Sequence, residues 1–567
     1  SATFSQELIL ELSLKDQVSF ASNVLEGEVL SSDTFWDAEY NNIYTRHRVK
    51  VYRVFKGSSY EEIYVVTEGG VIGLQAEVVS NALELRKGDH GVFILNELTN
   101  PQIRGELTNT FKPLSGIQSF YKYSVELNKV ANVFKSYNMA SQFHTKIESF
   151  TGVNSVIIED SNLESSIINN RMNSSTPVIN SFSSTNTTAG TKTILTINGS
   201  GFGTTAMPSV GFCDANYGGA LFYDVTSTQL LSWNDTEIHV EIPDRAGTGA
   251  VRIVNDNNQT GFSSTDLIID FAQINLDYNN IAYQTQHIDS NNSGGFTWDM
   301  NTDFYNSSAV DAYARALEAW SCQSGINWDV SQSTTTVGAS ANDGINVVTF
   351  DDASPLPPSV LGRCTSRYSG CVSGGEVKWY VEEMDIVFNN AINWNFSINP
   401  PANNEIDFES VAVHELGHGQ QLGHVINDSE VMHFSISANT VSRDLSENDI
   451  EGANDVHNRS STITICSQPV MEDSNCSTLS INAVVLNDSI SIFPNPVSSG
   501  MLNIKSGQNN FINKVTVFNA IGKRMFDKQL SSNNGLEQLN VSSLNDGLYL
   551  LEIQTNSGTI KKKLLVK

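Results

Sequence analysis

Three of the chain's ten histidines, His414, His418 and His424, fall within eleven residues. They stand in the segment Asp407–His433 (DFESVAVHELGHGQQLGHVINDSEVMH) as H-E-x-x-H-x-x-x-x-x-H. His414 and His418 are four apart, so a helix sends both imidazoles from one face, one turn apart. Two neutral imidazoles at that separation can grip one zinc ion. Val411, Ala412, Val413 and Leu416 suit the buried body of such a helix, and Asp407 suits its N-cap. Glu415 cannot point the same way as the histidines. It falls beside the metal, where a carboxylate can take a proton from zinc-bound water. Three protein ligands leave one position open for that water. A continuing helix would carry His424 away from the other two, so the chain must turn sharply. Gly419 and Gly423 supply freedom for that turn.

The pattern H-E-x-x-H-x-x-G-x-x-H followed by a Met-turn is that of the metzincin metalloproteases, which this segment resembles. Met432, in SEVMHF, lies eight residues past His424 and matches the Met-turn methionine. The helix Ser446–His457, with Ser446 and Asp449 as a capping box, resembles the C-terminal helix of the matrixin branch. The strands INVVTF, VLGRC and MDIVFNNAINW precede the histidines in matrixin order. The resemblance covers residues 271–458 and implies an α+β metzincin catalytic domain. It implies zinc on His414, His418 and His424, Glu415 as general base, and Met432 as an apolar floor beneath the imidazoles. The sequence departs from the family twice. Gln421 stands where the family has glycine; a left-handed backbone there costs about 1 kcal/mol, unless the turn shifts to Gly419 or Gly423. Phe434 stands where astacins and serralysins have tyrosine and matrixins proline. Glu447 and Glu451 are alternative third ligands, on the solvated start of a capped helix. His433 and His457 read as ordinary histidines. Asp351 and Asp352 carry oxygens suited to calcium, but a solvated loop is the preferred reading of the pair.

At about 150 residues per domain, 567 residues suggest roughly four domains. Residues 1–125 alternate as strands in IYTRHRVKVYRVF, EIYVVT and GVFIL. The pattern FASNVLEGEVL, IYTRHRVKVYRVFKG, LRKGDHGVFIL resembles netrin-like modules, which implies an OB-type barrel. Residues 126–176 read as a helical segment and linker: Phe120–Phe150 contains helical spacing, for example Val125, Leu127, Val130, Val133 and Phe134, and the polar stretch Asn162–Thr176 reads as the linker. Residues 177–270 have sandwich-like strand spacing, and ILTINGSGFG with WNDTEIHVEIP resembles an immunoglobulin-like IPT/TIG module. Within 271–458, Val310, Tyr313, Leu317 and Trp320 mark a helix from Ala309 to Trp320, with Ser308 and Asp311 as its capping box. Residues 459–486 read as a linker carrying Cys466 and Cys476, and 487–567 as a C-terminal β-sandwich. In that last segment SIFPNPV, VFNAIGK, GLYLLEI and the tail KKKLLVK resemble the C-terminal sorting domains of the Bacteroidetes type IX secretion system. The fold expected is therefore multidomain, with β-rich N-terminal modules, an α+β peptidase and a C-terminal sandwich.

The formal charge is −29, which argues against nucleic acid and anionic membranes as partners. No run of 18 apolar residues suggests a transmembrane segment. Cys364 with Cys371, and Cys466 with Cys476, are close enough in sequence for disulfides in an oxidising compartment, which would leave Cys213 and Cys322 free, but six cysteines allow 15 connectivities and the sequence does not choose among them. The start at Ser1, without a basic-then-apolar leader, reads as a mature secreted chain. Residues 1–212 hold no cysteine for the thiolate switch that keeps matrixins latent, and the N-terminal barrel reads as an accessory binding domain rather than a cover for the site. The resemblance implies a secreted or surface-held zinc endopeptidase that binds protein or peptide substrates and is exported by the type IX machinery. The strand near Val360–Tyr368 would align substrate as an added strand. The alternative is a non-catalytic surface adhesin on a zincin scaffold.

Overall fold

The computed structural model describes residues 9–105, 107–138, 140–161, 176–204, 209–435, 440–474, 490–506, 512–519, 523–530, 536–555 and 558–567. The chain forms two bodies, Ser1–Ser474 and Asn475–Lys567. No helix among the described residues is long and apolar enough to cross a membrane.

The first body begins with a closed ring of five strands. Asn23–Trp36 pairs with Ile43–Lys56, and that with Glu62–Glu68. Glu62–Glu68 runs parallel to Thr110–Pro113, which pairs with His90–Glu97, and His90–Glu97 returns to Asn23–Trp36. Leu25, Val49, Ile63, Val65, Phe93 and Phe111 fill the interior. Closure satisfies every strand edge within the ring. The hairpin Gly70–Ile72 and Gln75–Val79 lies outside the ring's ladder and is tied to it by Thr34 Oγ1 donating to the Val71 carbonyl at 2.8 Å and the Ile43 N–H donating to Glu77 at 3.3 Å.

The helix expected near Val125–Phe134 is absent. Asn128 adopts φ 52° and closes a turn with its N–H on the Val125 carbonyl, so the segment breaks into short strands at Lys129–Ala131 and Ser136–Asn138. The helix lies further on, at Ala140–Thr151, with Phe143 and Ile147 packed beside Leu14 and Val18 on the barrel. Val156–Ile157 then pairs with the barrel strand Ile43–Lys56, so the barrel module extends beyond residue 125.

The next module is a sandwich. One sheet runs Val178–Phe182, Ile194–Ser200, Glu237–Glu241, Leu230–Trp233, and another runs Phe222–Asp224, Ser209–Asp214, Ala246–Val254, Thr260–Phe262. Its last strand, Ile268–Gln273, pairs with Leu422–Gly423, the two residues before His424.

The third module is a mixed sheet under helices. Trp328–Val330, Phe296–Met300, Asn346–Phe350 and Glu376–Phe388 are parallel neighbours, and Gly362–Ser373 adds antiparallel to Glu376–Phe388. Helices Ala309–Ser324 and Phe408–Gly419 cross this sheet, joined by Trp320 Nε1 donating to the Val413 carbonyl at 2.7 Å. Ser308 does not cap the first of these helices: its backbone is already helical, and Ser307 Oγ takes the Ala309 N–H instead. The expected box at Ser446 and Asp449 is formed on Glu447–Thr462.

Residues 463–474 are part of this module, not of a linker. Met471 and Ile465 are buried, and Glu472 and Ser474 donate backbone hydrogen bonds to Gly294 and Gly325. The disulfide there joins Cys371 to Cys466. Cys364 and Cys371 cannot pair, because seven residues of one extended strand hold them about 23 Å apart on opposite faces. Cys364 and Cys213 are free and buried, whereas Cys322 is disulfide-bonded. Cys476 lies outside the described residues.

The second body is two sheets over one core of Leu502, Ile504, Val515, Val517, Leu551, Ile553 and Leu564. The sheets run Ile490–Phe493, Met501–Ser506, Leu536–Asn540 and Arg524–Gln529, Ile512–Asn519, Gly547–Thr555, Gly558–Val566.

Candidate metal centre

The helix Phe408–Gly419 starts where Asp407 Oδ2 accepts the Ser410 N–H at 3.0 Å. Arg443 pairs with the same carboxylate at 2.5 Å and ties the cap to the following loop. Every residue of the helix is buried, so its polar groups must find partners inside the protein.

His414 and His418 leave one face, with their Nε2 atoms 3.0 Å apart. The chain then reverses at Gln421, whose φ of 71° is the left-handed conformation anticipated there; Gly423 does not take it, and Gly419 belongs to the helix. The Gln421 side chain anchors the turn. Its Oε1 accepts from Tyr368 Oη at 2.8 Å and Thr285 Oγ1 at 2.9 Å, and its Nε2 donates to the Gly419 carbonyl at 3.1 Å. Leu422–Gly423 is then held on the sandwich strand, which fixes where His424 emerges. One ligand atom from each of His414, His418 and His424 lies within 4.8 Å of the others.

The outer nitrogen of each ring is engaged. Nδ1 of His414 donates to the Val431 carbonyl at 2.8 Å, and Nδ1 of His418 to the Leu422 carbonyl at 3.0 Å. A carbonyl only accepts, so each ring carries its proton on Nδ1 and keeps an Nε2 lone pair. His424 follows the pattern, with Nδ1 at 2.9 Å from Asn216 Oδ1, and its buried Nε2 has no hydrogen-bond partner. Burial pushes His414 and His424 well below the ordinary histidine range and His418 down to about 4, with neighbouring imidazoles adding to the effect on His414 and His424. Three neutral imidazoles with converging lone pairs are the donor set that zinc takes.

Glu415, the residue after His414 on this helix, is fully buried. Burial raises its carboxyl to about 7, against hydrogen bonds from Ser80 and the Cys364 N–H that lower it. Ser80 Oγ donates to Oε2 at 2.9 Å, while Oε1 is buried without a partner. Met432 sits against Gly417, where a Cβ would come within 2.2 Å of the methionine sulfur. Asp449 accepts the N–H groups of Val431 and Met432 at 2.9 and 3.2 Å, so the capping residue of the last helix also holds the methionine turn.

The other expected residues lie apart. Glu447 and Glu451 are exposed and outside the cluster. His433 Nδ1 accepts from the Asn427 N–H, and His457 pairs with Asp473. Phe434 packs over Gly218 of the sandwich. Asp351 spends both oxygens on the N–H groups of Leu356 and Asn390, and Asp352 accepts from the Asn390 side chain, an arrangement that closes a loop. Two residues of the site carry no signal in the sequence: Asn216, 208 positions from His424, and Ser80, 335 positions from Glu415. A cavity of about 720 Å³ lies over the site, bordered by both together with Cys364, His418 and His424.

Residues 291–458 match the family model of Matrixin, residues 177–269 that of the IPT/TIG domain, and residues 491–567 that of the secretion system C-terminal sorting domain. The chain thus combines a matrixin domain with an IPT/TIG module and a sorting domain of the Bacteroidetes type IX system, which directs it to the cell surface or the medium. No curated protein matches the sequence. Among solved structures, a biofilm-associated protein BSP domain aligns at 9% identity over 96% of each chain, with a TM-score of 0.12 that carries no argument.

Proposed function

We propose that this exported chain, built around a matrixin domain, is a zinc-dependent endopeptidase whose metal is held by His414, His418 and His424. The observation that carries the reading is the set of three engaged Nδ1 atoms, which leaves three Nε2 lone pairs facing one point beside a buried carboxylate. Zinc bound there supplies Lewis acidity toward a peptide carbonyl and toward water. Glu415 accepts a proton from the attacking water on its carboxylate and returns it to the leaving amine. Met432 is the floor of the site, and Asn216 orients His424. The strand Gly362–Ser373, outermost in the module's own part of the sheet, is the one that would give an extended substrate its main-chain hydrogen bonds. An adhesin that used the fold only as a scaffold would not need a desolvated carboxylate beside three imidazoles.

The netrin-like reading of the barrel is supported by the five-strand ring and its one parallel pairing. We place the module limits near residues 9–158, 177–273, 274–474 and 490–567. Elemental analysis of protein purified without chelator is expected to find about one zinc per chain, and chelation to stop hydrolysis of unfolded protein. A chain that takes up no zinc on reconstitution would overturn the assignment.

A further inference from the structure

The edge where a substrate strand is expected is already paired. The barrel hairpin strand Gln75–Val79 lies antiparallel on the peptidase edge strand Gly362–Ser373, with Val79 opposite Thr365 and Gln75 opposite Ser369. Backbone bonds bracket the pairing, from Ser80 N–H to the Cys364 carbonyl at 2.9 Å and from Gly370 N–H to the Leu74 carbonyl at 2.8 Å. The alternation of an antiparallel ladder therefore puts Val78 in a hydrogen-bonded pair and Val79 in a non-hydrogen-bonded one. The ring is complete without this hairpin, so the barrel's own closure does not account for it.

We propose that the N-terminal barrel is a resident inhibitor of the peptidase site, with residues 75–80 filling the substrate edge and Ser80 capping Glu415. This rests on the endopeptidase reading above, and it replaces the accessory role expected from the sequence. Side-chain pairs lock the hairpin down. Glu68 meets Arg363 at 2.6 Å, and Glu77 meets the buried Arg367 at 3.3 Å, which Asn42 also holds at 2.8 Å. A second anchor lies before the edge strand, where Ile9 bridges Val360 and Gln118 Nε2 donates to Ser359 Oγ at 3.0 Å. The sandwich also grips the barrel, through Arg245 on Glu84 at 2.8 Å beside the cavity over the site and through Arg252 on Glu126.

The segment is held as an inhibitor and not offered as a substrate. Directly after Ser80 the backbone leaves the extended conformation: Asn81 has φ 60°, and Ala82 N–H closes a turn on the Val79 carbonyl at 3.3 Å. No extended bond is therefore presented past Glu415. An incoming polypeptide must displace the hairpin to gain the main-chain bonds that the edge offers.

The test uses the zinc-loaded full chain and a fluorescein-labelled denatured protein as substrate. Val78→Pro removes one ladder N–H and is expected to raise kcat/KM at least tenfold over wild type. In a Cys364→Ala background, the pair Val79→Cys and Thr365→Cys is placed to cross-link the strands. The oxidised chain is expected to hydrolyse at least tenfold more slowly than the same chain after reduction, with Cys364→Ala alone as the reductant control. The cross-link arm decides the matter if Val78→Pro fails to fold. A cross-linked chain that hydrolyses as fast as its reduced form would overturn the inhibitor. If the cross-link forms while every variant is inert, the peptidase reading falls and the inhibitor falls with it.

Discussion

Gln421 shows how a residue that breaks a local pattern can be held in place by distant ones. A non-glycine at φ 71° carries a conformational cost, of about 1 kcal/mol. Its amide answers two buried hydroxyls, Tyr368 and Thr285, each bond contributing about 1 kcal/mol. The turn therefore stays where the family has it, one residue before the pair that docks on the sandwich. Asn216 acts at the same scale on chemistry. It is the sole side-chain acceptor among the three histidine supports, and it comes from the sandwich module rather than from the matrixin domain. Asn216→Ala leaves His424 free to turn or to switch tautomer. Zinc affinity is expected to fall about 10–100-fold, read by competition with a chromogenic chelator. An unchanged affinity would show that the sandwich merely abuts the site.

At the scale of elements, local signals were readable and long-range ones were not. His414, His418 and Glu415 were legible because one helix carries them, and a helix fixes side-chain direction from spacing alone. Asp407 and the Ser446–Asp449 box were legible for the same reason. The segment after Val125 misled because its apolar spacing suits a helix, while the turn at Asn128 and packing on the barrel favour strands. The disulfide misled because proximity in sequence is not proximity along an extended strand. Cys371 instead reaches Cys466 across 95 residues and pins the segment after the last helix to the sheet. Replacing both by serine is expected to cost about 2–5 kcal/mol in urea unfolding. A loss below 0.5 kcal/mol would mean that packing of Ile465 and Met471 holds the segment by itself.

Over the whole molecule, the matrixin module is bracketed. The sandwich supplies the outer support of one histidine, the barrel fills the edge strand, and the sorting body folds around its own core. That separate core leads to a prediction about export. A chain truncated after residue 486 is expected to keep zinc and hydrolysis in vitro while its host fails to export it, read by fractionating cells and medium. Normal export of the truncated chain would contradict the role of the tail. The central claim is that Glu415 does the proton work at a three-histidine zinc site. The most direct measurement is kcat/KM and zinc content of Glu415→Ala beside wild type. The account predicts about one zinc per chain in both, and hydrolysis reduced by at least about 10²-fold in the variant. Near-normal turnover with zinc bound would contradict it.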